Sequence, residues 1–199
     1  MRARLILIIL IAFTIGALGA VLLRSGGQPV GQSGGKALIG GPFTLTDQNG
    51  RTVTEKDFRG KYTLVSFGYT FCPDICPTEL GVMTEALNKL GAKGEAITPV
   101  FITIDPKRDT VEQVKNYVGS FHPRFVGLTG TEEQIRQAAS AYRVYYAQAD
   151  GGDAKTDAYL MDHSTFIYLM SPEGEYVSHF GYGISADDLA ARIEKAIQG

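Results

Sequence analysis

Two cysteines occur in the 199-residue chain, Cys72 and Cys76, in the stretch FCPDICPTEL, with a proline directly after each. Thiols so placed can form a structural disulfide, act as a redox-active pair, or supply two donors of a metal site. A disulfide here would close a very short loop, where the unfolded-state entropy effect is smallest. Reactive chemistry is therefore the stronger reading. Pro77 is tolerated in the first turn of a helix and disfavoured deeper, which sets a helix start near Cys76. A helix N-terminus favours thiolate over thiol, so Cys76 is expected to be activated there. The C-x-x-x-C spacing alone does not separate redox work from metal binding.

A third donor comes from DHSTFIYLM. His122 precedes Pro123 and His179 falls inside a strand pattern, and both read as surface or packing residues. His163 opens a strand that would neighbour the one leading to the cysteines. Asp162 beside it reads as a solvated carboxylate or a local hydrogen-bond partner. Two thiolates and an imidazole form a soft, three-donor set. Structural zinc nearly always takes four ligands, and no convincing fourth is offered. Copper fits better, since thiolates select Cu(I) and mixed Cys/His surroundings also hold Cu(II). One copper per chain, held by three donors at a loop and a strand end, would leave readily, as a transfer site requires.

The elements that must position these residues alternate. PFTLTDQNGRTVTEKDF predicts a β-hairpin turning at Asn49-Gly50. KYTLVSFGYTF predicts a buried strand delivering the chain to the cysteines. A helix follows, with Leu80, Met83, Leu87 and Leu90 on one face and Gly91 as its stop. TPVFITID is a second strand, and Thr110 with Gln113 opens a helix through a capping box. FVGL is a short strand, Thr131 with Gln134 begins another helix, and AQADGGDAKTDAY reads as a loop. STFIYLM and EYVSHF pair across Pro172-Glu173-Gly174, and Ser185 with Asp188 frames a last helix. This order predicts an α/β fold with a mostly parallel sheet and an antiparallel portion. Ligand groups in such sheets gather at the C-terminal strand ends, where the cysteines lie.

Leu5 to Leu23 is a run of 19 apolar residues broken only by Thr14 for polarity, long enough to span a bilayer. Arg2 and Arg4 precede it, so the positive-inside rule keeps the N-terminus cytoplasmic and exports the rest. The run exceeds the apolar core of a signal peptide, which favours a retained anchor. The absence of an Arg- and Ser-rich transit segment favours a bacterial cytoplasmic membrane, with the domain on its outer, periplasmic side. The expected organisation is an anchor over 1–24, a Gly/Ser/Gln-rich flexible tether over 25–36, and one domain over 37–199. The formal charge is −2; without Arg2, Arg4 and Arg24, 16 basic residues face 21 acidic ones. An acidic exported domain with no basic cluster gives no nucleic-acid surface.

Taken together, FGYTFCPDICPTEL, VFITIDPKRDT, RVYYA and DHSTFIYLMSPEGEYVSHFG resemble the Sco/SenC proteins. These are membrane-anchored, thioredoxin-like copper chaperones that help assemble the CuA centre of cytochrome c oxidase. The resemblance runs over about residues 37 to 199 and extends to the anchor and tether. It implies a thioredoxin-like fold with an N-terminal β-hairpin, and copper on Cys72, Cys76 and His163. It also implies a copper-accepting oxidase subunit as partner, and a thiol reductant protein that keeps the cysteines reduced. The alternatives are a thiol-disulfide reductase acting on the oxidase cysteines, with Cys72 and Cys76 as the redox-active pair, or a copper or redox sensor. Generic thioredoxins carry C-x-x-C and a cis-proline where this chain has C-x-x-x-C and Asp162-His163-Ser164. Peroxiredoxin-like enzymes place threonine where Tyr69 stands. Asp105 and Pro106 read as a strand end, and Arg108 with Asp109 as a surface pair or a helix cap. Tyr142, Tyr145 and Tyr146 read as packing residues at a rim. Tyr69, Phe71 and Asp74 read as partner contacts or as packing and turn-making residues.

Overall fold

The computed structural model describes residues 38–149 and 159–198. The expected anchor and tether, and the middle of the expected loop after Gln148, lie outside those residues. Among the described residues no helix is long and apolar enough to cross a membrane.

The N-terminal hairpin pairs β1 (Thr44–Asp47) with β2 (Thr52–Thr54), turning through Gly50 at φ 78°. Then follow β3 (Tyr62–Gly68), α1 (Ile75–Leu90), β4 (Ile97–Thr103), α2 (Val111–Gly119), β5 (Val126–Thr129) and α3 (Glu132–Ala141). The chain continues through β6 (Tyr146–Gln148), β7 (Met161–His163), β8 (Phe166–Met170), β9 (Tyr176–Gly181) and α4 (Ala186–Gln198). Capping residues fix two helix starts. Thr131 and Gln134 form a full capping box on α3. Thr110 accepts from the Gln113 amide at 3.3 Å, which is half of the box expected on α2.

Seven strands form one sheet in the order β2-β1-β5-β4-β3-β8-β9. The expected parallel majority is not found. Only β3, β4 and β5 run parallel, while β1 joins β5 and β8 joins β3 in antiparallel fashion. Strands linked by helices are parallel, but the hairpins at both edges reverse direction, and alternation in sequence records only the former. Successive residues of β3 face opposite layers: Leu64 packs under α1, α2 and α4, whereas Val65 and Phe67 pack under α3. Because β8 is antiparallel to β3, its first residues lie at the end where β3 finishes. That pairing brings the segment before β8 to the cysteines. The expected loop from Ala147 instead starts within β6, which pairs with β7 in a separate two-stranded sheet. Strands of three residues are too short to show a period in sequence.

Candidate metal site

The cysteines hang from the junction of β3 and α1. Gly68 ends β3 opposite Thr103 of β4, and its carbonyl accepts from the Ile104 amide at 2.8 Å. A Cβ on Gly68 would stand 2.8 Å from the Cys76 sulfur and 3.1 Å from the Phe101 ring, so only glycine lets the thiol lie against the strand. Cys76, the second residue of α1, is 1% exposed; Cys72 is half-buried, and both are free thiols.

The activation expected for Cys76 falls on Cys72. The Cys76 amide, at the helix N-terminus, donates to Cys72 Sγ at 3.4 Å. The hydrogen bond from the Cys76 thiol, opposed by burial and helped by His163 and by the Cys76 and Asp74 amides, pulls Cys72 down to about 3. The same sulfur pair and its own burial push the Cys76 thiol far up, so Cys76 keeps its proton. The helix end stabilises charge on whichever sulfur its free amides face, and they face the residue before the helix.

His163 ends β7, directly opposite Tyr146. The hairpin closes below it: the Ser164 amide donates to the Tyr145 carbonyl at 2.9 Å and the Tyr145 amide donates to Ser164 Oγ at 3.1 Å. His163 Nδ1 lies 2.9 Å from the Ser164 carbonyl. A carbonyl only accepts, so Nδ1 carries the proton and the neutral ring turns its Nε2 lone pair inward. Nε2 stands 3.5 Å from Cys76 Sγ, and the ring meets Tyr69 edge-on at 6.3 Å. Burial opposes charge on the ring, yet hydrogen bonds to Cys72 and the Ser164 carbonyl, with the field of Glu79, raise its pKa. Glu79, on α1, is itself pushed to about 7, chiefly by burial. Among the described residues, no three His, Cys, Asp or Glu side chains already meet the spacing of a metal cage. The two sulfurs and the imidazole nevertheless come to one end of the sheet, with His163 Nε2 3.5 Å from Cys76 Sγ. His163 does so from a hairpin of its own and not from the strand beside β3.

The segment after β4 corrects another expectation. Arg108 and Asp109 are neither a surface pair nor a helix cap, being 9% and 0% exposed. The Asp109 carboxylate accepts from the Thr70 amide at 3.0 Å, from the Thr70 hydroxyl at 2.6 Å and from the Thr103 hydroxyl. It thus fixes the start of the cysteine loop. Arg108 donates through Nε to Asp105 at 2.6 Å and through Nη1 to the Tyr159 carbonyl at 2.9 Å. The Tyr159 hydroxyl returns to Asp105 at 2.8 Å. The guanidinium carbon lies 3.6, 4.8 and 5.6 Å from the ring centres of Tyr159, Phe71 and Tyr69. Thr70 and Tyr159 lie 39 and 51 positions from Asp109 and Arg108, so nothing local in the sequence announces these two contacts.

Tyr69 is buried and its hydroxyl accepts from the Met161 amide at 3.2 Å, while Asp74 is the N-cap residue of α1. Tyr142 packs on Phe67 and Tyr168 in the core; Tyr145 is 65% exposed. His122 accepts from the Arg124 amide, and His179 sits on β9 among Tyr176, Phe166 and Tyr168.

A mixed sheet covered by helices on both faces, with a cysteine pair at the exit of a central strand, defines a thioredoxin-like protein whose thiols face an imidazole. The sequence model of the SCO1/SenC family matches residues 31–198. The chain belongs to that family. It is 47% identical over 169 residues to the mitochondrial "Protein SCO1 homolog 1" of Arabidopsis thaliana, covering 84% of this chain and 50% of that relative. This chain therefore spans about half the length of that relative. The structure is similar to Arabidopsis thaliana ScoI with copper bound, at TM-score 0.76 and 46% identity, over 80% of this chain and 98% of the other. It is also similar to Bradyrhizobium japonicum ScoI with copper bound, at TM-score 0.72 and 43% identity, over 79% and 99%.

Proposed function

We propose that this protein carries copper as cargo on Cys72, Cys76 and His163 and delivers it to an exported acceptor. The carrying observation is the meeting of both sulfurs with an imidazole whose Nε2 is held inward, 3.5 Å from Cys76 Sγ. Sulfur and nitrogen donors sharing one ion through bonds of about 2.3 and 2.0 Å stand roughly 3.5 Å apart. The donor set suits a soft ion, and the two similar ScoI structures have copper bound. Cys72 is ready as a thiolate, while loading must displace the proton of Cys76. The copper-accepting subunit of cytochrome c oxidase, with its CuA centre, is the acceptor that the family resemblance supports. An N-terminal membrane anchor and an outward-facing domain belong to the same reading.

One observation favours a second activity at the same pair. A half-exposed thiolate beside a buried, protonated thiol is the arrangement of an attacking and a resolving cysteine. Cys72 would attack a target disulfide, releasing one target thiol and forming a mixed disulfide. Cys76 would then release the second target thiol, leaving this chain oxidised until a thiol reductant protein restores it.

Copper stoichiometry on the reduced protein separates the two. One copper per chain, lost or greatly weakened in Cys72→Ala, Cys76→Ala and His163→Ala, supports the carrier; His163→Ala should leave dithiol exchange largely intact. Binding indifferent to His163 would make the reductase the leading function.

A further inference from the structure

The two halves of the site come from different sheets. The sulfurs are fixed to the seven-stranded sheet through β3 and α1, while His163 stands on the β6–β7 hairpin. One arginine touches both halves. Arg108 roots in Asp105 just beyond β4, lies against Phe71 and Tyr69 ahead of Cys72, and holds both the ring and the carbonyl of Tyr159, four residues before His163. It ligates nothing itself.

We propose that Arg108 is a positioning residue that sets the approach of His163 to the cysteine pair. It thereby decides whether a bound copper has three donors or only the two sulfurs. The inference rests on the carrier reading above. A guanidinium suits the task because its faces stack on aromatic rings while its edge donates in plane. Lysine keeps the charge, but it loses the planar fork and the stack, so Arg108→Lys tests geometry at constant charge.

The test compares the wild-type chain with His163→Ala, Arg108→Lys and Tyr159→Leu in two measurements. Amide hydrogen exchange on the reduced, metal-free protein reads docking of the hairpin without any metal. Copper release to a competing chelator, with the Cu(II) absorption spectrum, reads its effect on the site. In Arg108→Lys, exchange should rise in the peptide containing Met161–His163 and stay at wild-type rates in β3 and β4. Copper should remain at one per chain but leave faster, by about 10- to 100-fold as for other groups that orient a ligand, with a spectrum shifted toward that of His163→Ala. Tyr159→Leu removes the stacking partner and the hydroxyl bond to Asp105, and it carries the same expectation should Arg108→Lys fail to fold.

Wild-type exchange and release in both variants, with His163→Ala impaired, would overturn the inference. So would exchange rising evenly across the domain, which marks a merely structural arginine. Copper binding absent in the wild type, or indifferent to His163, would instead bring down the carrier reading and the inference with it. The exchange measurement would still report whether Arg108 docks the hairpin.

Discussion

Cys72 and Cys76 differ by position more than by chemistry. One faces the free amides of a helix end, and the other is pressed under a strand. The consequence is measurable with iodoacetamide on the reduced protein. An ordinary thiol reacts about tenfold more slowly for each pH unit below its pKa, because only the thiolate attacks. With its pKa near 3, Cys72 is already deprotonated at pH 5, so its alkylation rate should stay flat from pH 5 to 8. Cys76 should remain unlabelled throughout, and a tenfold-per-unit rise at Cys72 would refute the assignment. Gly68 is the other decisive residue. Ala at 68 would drive a methyl to 2.8 Å from the Cys76 sulfur, with the Phe101 ring closing the other side. Gly68→Ala should cost about 1–3 kcal/mol, the usual range for overpacking, read as a denaturation midpoint. Adding Cys76→Ala should relieve much of that loss, since it removes the atom being struck.

At the scale of elements, the turn from Asp105 to Asp109 joins β4 to the cysteine loop. The Asp109 carboxylate gathers three donors in a buried place. In Asp109→Asn one of the accepting oxygens becomes an NH2 group facing donors. The expected loss is about 1–3 kcal/mol, the cost of a buried donor left unmatched, with faster exchange at the Thr70 amide. Exchange unchanged at Thr70 would contradict this account of the loop. Long elements were readable from sequence because each repeats a period over two or more turns or through a whole buried strand. The β3 strand and the α1 face of Leu80, Met83, Leu87 and Leu90 are of that kind, while the start of α3 was marked by its capping box. The cysteines and His163 could be singled out because their chemistry is rare in the chain. The β6–β7 hairpin and the Arg108 bracket could not, since three-residue strands carry no period and stacking partners converge only after folding. The same limit misplaced the thiolate: sequence located the helix start but not the sulfur its amides face.

For the molecule as a whole, cargo and fold should be coupled. An ion that binds only the folded, reduced chain stabilises it by mass action, about 2.7 kcal/mol at a free concentration a hundredfold above Kd. Cu(I) should therefore raise the melting temperature of the reduced protein and leave that of the Cys72–Cys76 disulfide form unchanged. An equal rise in both forms would place the ion elsewhere. His163 adds a consequence for any mutational map of this chain. The group that orients its ring is the main-chain carbonyl of Ser164, which survives every side-chain substitution at that position. Replacing the Ser164 side chain would thus leave this contact to the ring in place. The part played by that carbonyl would become visible through chemistry on the backbone, for example by replacing the Ser164–Thr165 amide with an ester, whose carbonyl is the weaker acceptor.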